Sequence, residues 1–200
     1  MINPFDIYGN TPQTIVFSVI AGAATVGLHS WLLARLVVLL GDRGPRQDGR
    51  IALSPLRAAG PIGLFAVAIT QIGWIRPMQI DPARLRGGRA MVPVLLLASL
   101  ALLALVAWGL WQLRPVLVQN FPGATPAYVT ITTITTFAYT VFWYSLFNLL
   151  PLPPFVMGHW FQSRFHRVAT PVAVAALAAL LYLTITYRGW FGGVERWFFS

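Results

Sequence analysis

Apolar residues fall in long blocks, and the blocks are separated by short polar loops. Thr14 to Leu40 is the first block, longer than the roughly 20 residues a helix needs to cross a bilayer. Met91 to Leu113 is the cleanest of them, and Tyr128 to Leu150 follows, rich in Thr at its start and in aromatics at its end. Pro171 to Tyr187 is a last, shorter block. Gly60 to Trp74 is apolar but short, broken by Gly60-Pro61, Gly63 and Gly73, with Gln71 inside. Its length suits a re-entrant or interfacial segment better than a span. Residues 1–13 read as an extended arm, and the aromatic tail 189–200 suits the headgroup region. The pattern predicts an all-α polytopic membrane protein, a single domain over residues 1–200. Its spans fall near 14–40, 91–113, 128–150 and 171–187, with residues 114–127 as a loop. If the 60–74 segment crosses, the spans number five.

Composition agrees with the pattern. The chain is 57% hydrophobic and 10% charged, whereas soluble domains carry about 25% charged residues. There are no cysteines, so disulfides and thiolate metal sites are excluded. The formal charge is +9. The basic residues are all arginines, and they flank the apolar blocks. They form no soluble face with interleaved aromatics, so anionic lipid headgroups and membrane topology account for them and nucleic acid does not. If Gly60–Trp74 does not cross, the loops at 41–57, 75–90 and 151–170 share one side. That side then holds Arg43, Arg46, Arg50, Arg57, Arg76, Arg84, Arg86, Arg89, Arg164 and Arg167, against Arg114, Arg188 and Arg196 on the other. The positive-inside rule favours this arrangement, with the basic loops cytoplasmic.

The segment Phe147-Asn148-Leu149-Leu150-Pro151-Leu152-Pro153-Pro154-Phe155 ends an apolar block with an Asn and three prolines. Such backbone is costly in hydrocarbon unless it packs against protein or lines a cavity. His29 and Ser30 stand inside the first block, just after the small residues Ala21 to Gly27, which admit close approach of another helix.

Together these stretches resemble the site-2 protease family of intramembrane zinc metalloproteases, in its small bacterial form. His29-Ser30-Trp31-Leu32-Leu33-Ala34 stands where the family has His-Glu-x-x-His-Ala. Arg50-Ile51-Ala52-Leu53-Ser54-Pro55-Leu56 with Gly60-Pro61-Ile62-Gly63 is similar to Arg-x-Thr-Leu-Asn-Pro-Leu and Asp-Pro-x-Gly. Gly73-Trp74-Ile75-Arg76-Pro77 resembles Gly-Trp-Ala-Lys-Pro, and Phe147 to Pro154 resembles Phe-Asn-Leu-Leu-Pro-Ile-Pro-Pro, which the family follows with Leu-Asp-Gly. The resemblance covers roughly residues 15–160.

In that family two His and the Asp hold zinc, and the Glu acts as general base. His residues at i and i+4 share one helix face, with the Glu beside them. Here Ser30 occupies the Glu position, Leu33 the second His position and Val156 the Asp position. One ligand of three remains. The resemblance therefore implies the fold and a lost zinc site, that is, a pseudoprotease. The expectation is a non-catalytic bacterial inner-membrane protein that binds other transmembrane helices, as an accessory or assembly subunit of a multi-subunit membrane complex. The candidate helix- or backbone-binding residues are His29, Asn148, Pro151, Pro153 and Pro154. Two alternatives remain open. One is an intramembrane metalloprotease or hydrolase with a non-standard site around His29, for which His159 is a conceivable second ligand. The other is a haem- or bacteriochlorophyll-associated subunit ligated by His29. The bland readings are that His29 bonds a neighbouring helix carbonyl or Thr, that Asn148 satisfies local carbonyls of the Pro loop, and that His159 and His166 face headgroups.

Overall fold

The computed structural model describes residues 12–70, 73–120, 125–158 and 160, with positions 175, 178, 179 and 182. Among these, every regular element is helical. The elements are α1 (Pro12–Leu39), the short α2 (Gly44–Gln47), α3 (Pro55–Thr70), a 3-10 turn at Gly88–Ala90, α4 (Met91–Asn120) and α5 (Thr125–Asn148). The expected span at 171–187, the tail 189–200, and His159, Arg164, His166 and Arg167 lie outside the described residues, apart from the isolated positions above.

The helix ends follow the prolines. α1 and α5 start earlier than their apolar blocks, at Pro12 and Thr125. Proline is tolerated in a first turn, where its missing N–H has no partner to lose, and Pro12 and Pro126 use this. α5 ends at Asn148, ahead of Leu150, because the residue before Pro151 is pushed away from helical backbone. The expected loop 114–127 is largely absent: α4 runs on through Pro115 to Asn120. Pro115 removes one backbone bond, but Val116-Leu117-Val118 continues the apolar run, and helical backbone satisfies its own polar groups best in such surroundings. α3 likewise begins at Pro55, inside the expected loop 41–57, and is kinked at Gly60, with φ 73° and ψ 174°.

After α3 the chain doubles back. The Arg76 N–H donates to the Ala58 carbonyl at 2.7 Å. Gly73 lies against Val67, where a Cβ would come within 2.6 Å of the Val67 Cβ, and a Cβ on Gly63 would lie 3.1 Å from the Trp74 carbonyl. Residues 73–76 thus run antiparallel along α3, and the two ends of the 58–76 excursion sit side by side. The following loop is pinned to the end of α1. The Arg86 N–H donates to the Leu40 carbonyl at 2.9 Å. The buried Asp42 accepts from the N–H groups of Gly44 and Asp81, each at 2.9 Å.

α1 packs against α3, α4 and α5, and α4 packs against α5. The outer faces are apolar: Ile15, Val19 and Ile20 of α1, Ile62 and Phe65 of α3, and Val94, Leu105, Trp108 and Val116 of α4 are exposed. The inner faces carry Thr25, His29, Ser99, Thr136, Thr140 and Asn148, all buried. This reverses the order of a water-soluble protein, where buried polar groups and exposed large apolar patches are the unusual features. Among the described residues, two helical segments, Ile15–Leu39 and Gly88–Asn120, are long and apolar enough to cross a membrane.

Candidate functional site: the His29 chain and the adjoining cleft

His29 sits where three helices meet. Its Nδ1 lies 2.7 Å from the Tyr144 hydroxyl on α5, and its Nε2 lies 3.0 Å from Ser99 Oγ on α4. Ser99 Oγ in turn donates to the Leu96 carbonyl at 2.8 Å. One polarity satisfies every hydrogen: the Tyr144 hydroxyl donates to Nδ1, Nε2–H donates to Ser99, and Ser99 donates to Leu96. This assigns His29 as the neutral Nε2 tautomer from the network. The expectation of a carbonyl or Thr partner is thus corrected to two hydroxyls. The partners face His29 because of spacing. Thr136, Thr140, Tyr144 and Asn148 recur every four residues and so share one face of α5.

Asn148 is fully buried and uses both ends of its amide. Nδ2 donates to the Gly73 carbonyl at 2.9 Å and to the Tyr144 carbonyl at 2.8 Å, while Oδ1 accepts the Val156 N–H at 3.2 Å. It ties α5 to the returning segment 73–76 and to the Pro loop at once. That loop also closes on itself. The Phe155 N–H donates to the Leu152 carbonyl at 3.0 Å, the rings of Phe147 and Phe155 stack at 6.3 Å, and Gly158 leaves no room for a Cβ against Leu152. Pro153–Pro154 is cis. Pro151 is exposed, and Pro153 and Pro154 are half-buried.

His29 and Asn148, both expected to offer groups to an outside backbone, therefore spend them within the chain. So does the small-residue stretch of α1. Ala21, Gly22, Thr25, Val26 and Gly27 are buried, and a Cβ on Gly27 would lie 3.3 Å from the Pro55 ring on α3.

Two of the three positions at which the resembled motifs carry metal ligands are brought together. Leu33 and Val156 both line a cleft of about 660 Å³, beside the extended residues Ile75 to Ile80. His29 does not line it. The residues at these positions do not fit a zinc ion: Leu33 and Val156 have no donor atom, and both nitrogens of His29 are engaged. Among the described residues no three His, Asp or Glu side chains come together.

The arginines expected to serve topology divide in the structure. Arg43, Arg46, Arg57, Arg76, Arg84, Arg86 and Arg89 are exposed, and Arg84 pairs with Asp81 at 3.2 Å. Arg50 is half-buried and has a structural task. Its guanidinium donates to the carbonyls of Arg76 and Pro77, both at 3.1 Å. Burial lowers its pKa from the usual arginine value, the Asp48 carboxylate raises it, and the nearby charge of Arg76 lowers it.

Ser99, Tyr144 and Asp42 were not legible as site residues from motifs. Ser99 has a signal nonetheless, as the single polar side chain between Met91 and Trp108. No protein-family model, curated protein or solved structure matches the chain.

Proposed function

We propose that the chain is a non-catalytic, site-2-protease-like integral membrane protein that associates with other transmembrane helices, as an accessory subunit of a bacterial membrane complex. The observation that carries this reading is the pair Leu33 and Val156. In the resembled family both positions hold metal, and here they converge on one cleft as hydrocarbon. This supports a site-2-protease-like arrangement that lacks the metal donors.

Three further features support the membrane placement. The apolar outer faces of α1, α3 and α4 suit acyl chains. α5 is 24 residues long, about 36 Å at about 1.5 Å per residue, which suffices for a core of about 30 Å. Its hydropathy is diluted by the Thr, Tyr and Asn side chains that face inward. The return of Arg76 to Ala58 supports a re-entrant 58–76 segment, with the basic loops on one side. For the partner helix, the outer face of α4 is the better candidate, since α1's small residues are already covered. There Gly109 lies between the exposed Leu105 and Leu113, and a Cβ would meet nothing within 4 Å. Such a spot admits a neighbouring backbone.

The hydrolase and pigment alternatives both need a free nitrogen on His29, and its two hydroxyl partners count against them. Purification of the full chain in mild detergent tests the proposal. The expected result is a stoichiometric, intact membrane protein held equally by wild type and by Gly60→Ala, and lost with Gly109→Leu. Elution alone, or with a cleaved fragment that disappears in His29→Ala, would overturn it.

A further inference from the structure

The cleft has a chemistry of its own. Its floor is hydrocarbon, formed by Leu33, Leu96 and Val156, which are buried. Its rim carries Arg76 and Arg89, both exposed. Its volume, about 660 Å³, lies within the roughly 300–1,000 Å³ usual for small-ligand sites.

The rim charges have no partner within the described residues. Asp42 is buried and accepts two backbone N–H groups, Asp81 pairs with Arg84, and Asp48 acts on Arg50. The whole sequence holds five acids against fourteen bases, so most of its arginines lack a carboxylate within the chain. Arg89 stands in the 3-10 turn just ahead of α4, a 30-residue apolar helix, which puts the rim at headgroup level once that helix spans a bilayer.

We infer that the cleft is a binding site for an anionic phospholipid, with one acyl chain on Leu33, Leu96 and Val156 and the phosphate between Arg76 and Arg89. An uncharged apolar occupant leaves the rim charges unmet, and a free phosphate leaves the floor empty. A phospholipid meets both. This rests on the membrane placement and not on loss of protease chemistry, so the two stand or fall separately.

The test uses the full chain in nanodiscs of equal phosphatidylglycerol and phosphatidylcholine, released into native mass spectrometry. The expected result is about one phosphatidylglycerol retained per chain. Each of Arg76→Gln and Arg89→Gln lowers the preference over phosphatidylcholine on the order of fivefold. Val92→Trp, on the cleft wall, reduces retention of both lipids. If Val92→Trp fails to fold, the arginine variants decide, since they leave the apolar floor untouched. Photo-leucine at position 96 supplies the second reading, with cross-links to lipid expected. Equal retention of the two lipids by wild type would overturn the inference. So would retention unchanged by the arginine variants, or an absence of lipid cross-links from position 96.

Discussion

The hydroxyl of Tyr144 on α5 lies 2.7 Å from Nδ1 of His29 on α1, with the two rings edge to face at 80° and 5.4 Å between centroids. Ser99 holds the opposite nitrogen, so three helices are joined through one imidazole. In an apolar interior such a chain fixes the register of its helices, because an unpaired member is costly.

Breaking the chain at different points has different expected costs. Tyr144→Phe removes one donor and should lower stability by about 1 kcal/mol. His29→Ala leaves the Tyr144 hydroxyl without its acceptor and opens a cavity, and should cost about 2–4 kcal/mol. A double-mutant cycle between them, read by unfolding in mixed micelles, should give a coupling of about 0.6–1.7 kcal/mol. Strict additivity would mean that the bond contributes nothing.

Asn148 is the link between α5, the returning segment 73–76 and the Pro loop. Asn148→Ala leaves the Gly73 carbonyl and the Val156 N–H without this partner and should cost about 2–4 kcal/mol. Amide exchange at Val156 should rise at least tenfold, while exchange in the middle of α4 stays as it was. Unchanged protection at Val156 would show that the amide bond is idle.

Two glycines should respond in opposite directions to alanine. Gly60 has φ 73°, and a Cβ there would lie 2.7 Å from the Arg76 guanidinium. Gly60→Ala should destabilise by about 1–2 kcal/mol or more, since left-handed backbone and the close approach both resist a side chain. Gly109 is helical and open on its outer side, so Gly109→Ala should gain about 0.5–1 kcal/mol. Thermal unfolding of the two variants checks the pair, and equal shifts would contradict the kink.

Arg50 spans two carbonyls with one planar fork. Arg50→Lys keeps the charge and loses that geometry. Hydrogen exchange in residues 78–80 should then increase several-fold. If only removal of the charge, as in Arg50→Gln, has an effect, Arg50 acts through electrostatics alone.

Much of the helical framework was legible because apolar blocks of about 20 residues have few other solutions. The boundaries were less so. Pro12, Pro115 and Pro126 look like breakers in a sequence, yet two of them sit in first turns and the third inside a continuous helix. Leu33 and Val156 line one cleft, and Asn148 accepts the Val156 N–H, and hydropathy alone gives no sign of either. Tyr144 and Ser99 escaped attention because each looks like an ordinary member of its own helix. Only the packing of α4 and α5 on α1 turns them into partners of His29. The use of His29 and Asn148 inside the chain was hidden for the same reason.

The proposed function holds that a site-2-protease-like framework stands here without a metal. The zinc content of the full chain, purified without chelator, tests this most directly when wild type is measured beside the Ser30→Glu/Leu33→His/Val156→Asp variant. The account predicts far less than one zinc per wild-type chain and a clear rise toward one in the variant. Close to one zinc per wild-type chain, lost on His29→Ala, would contradict it.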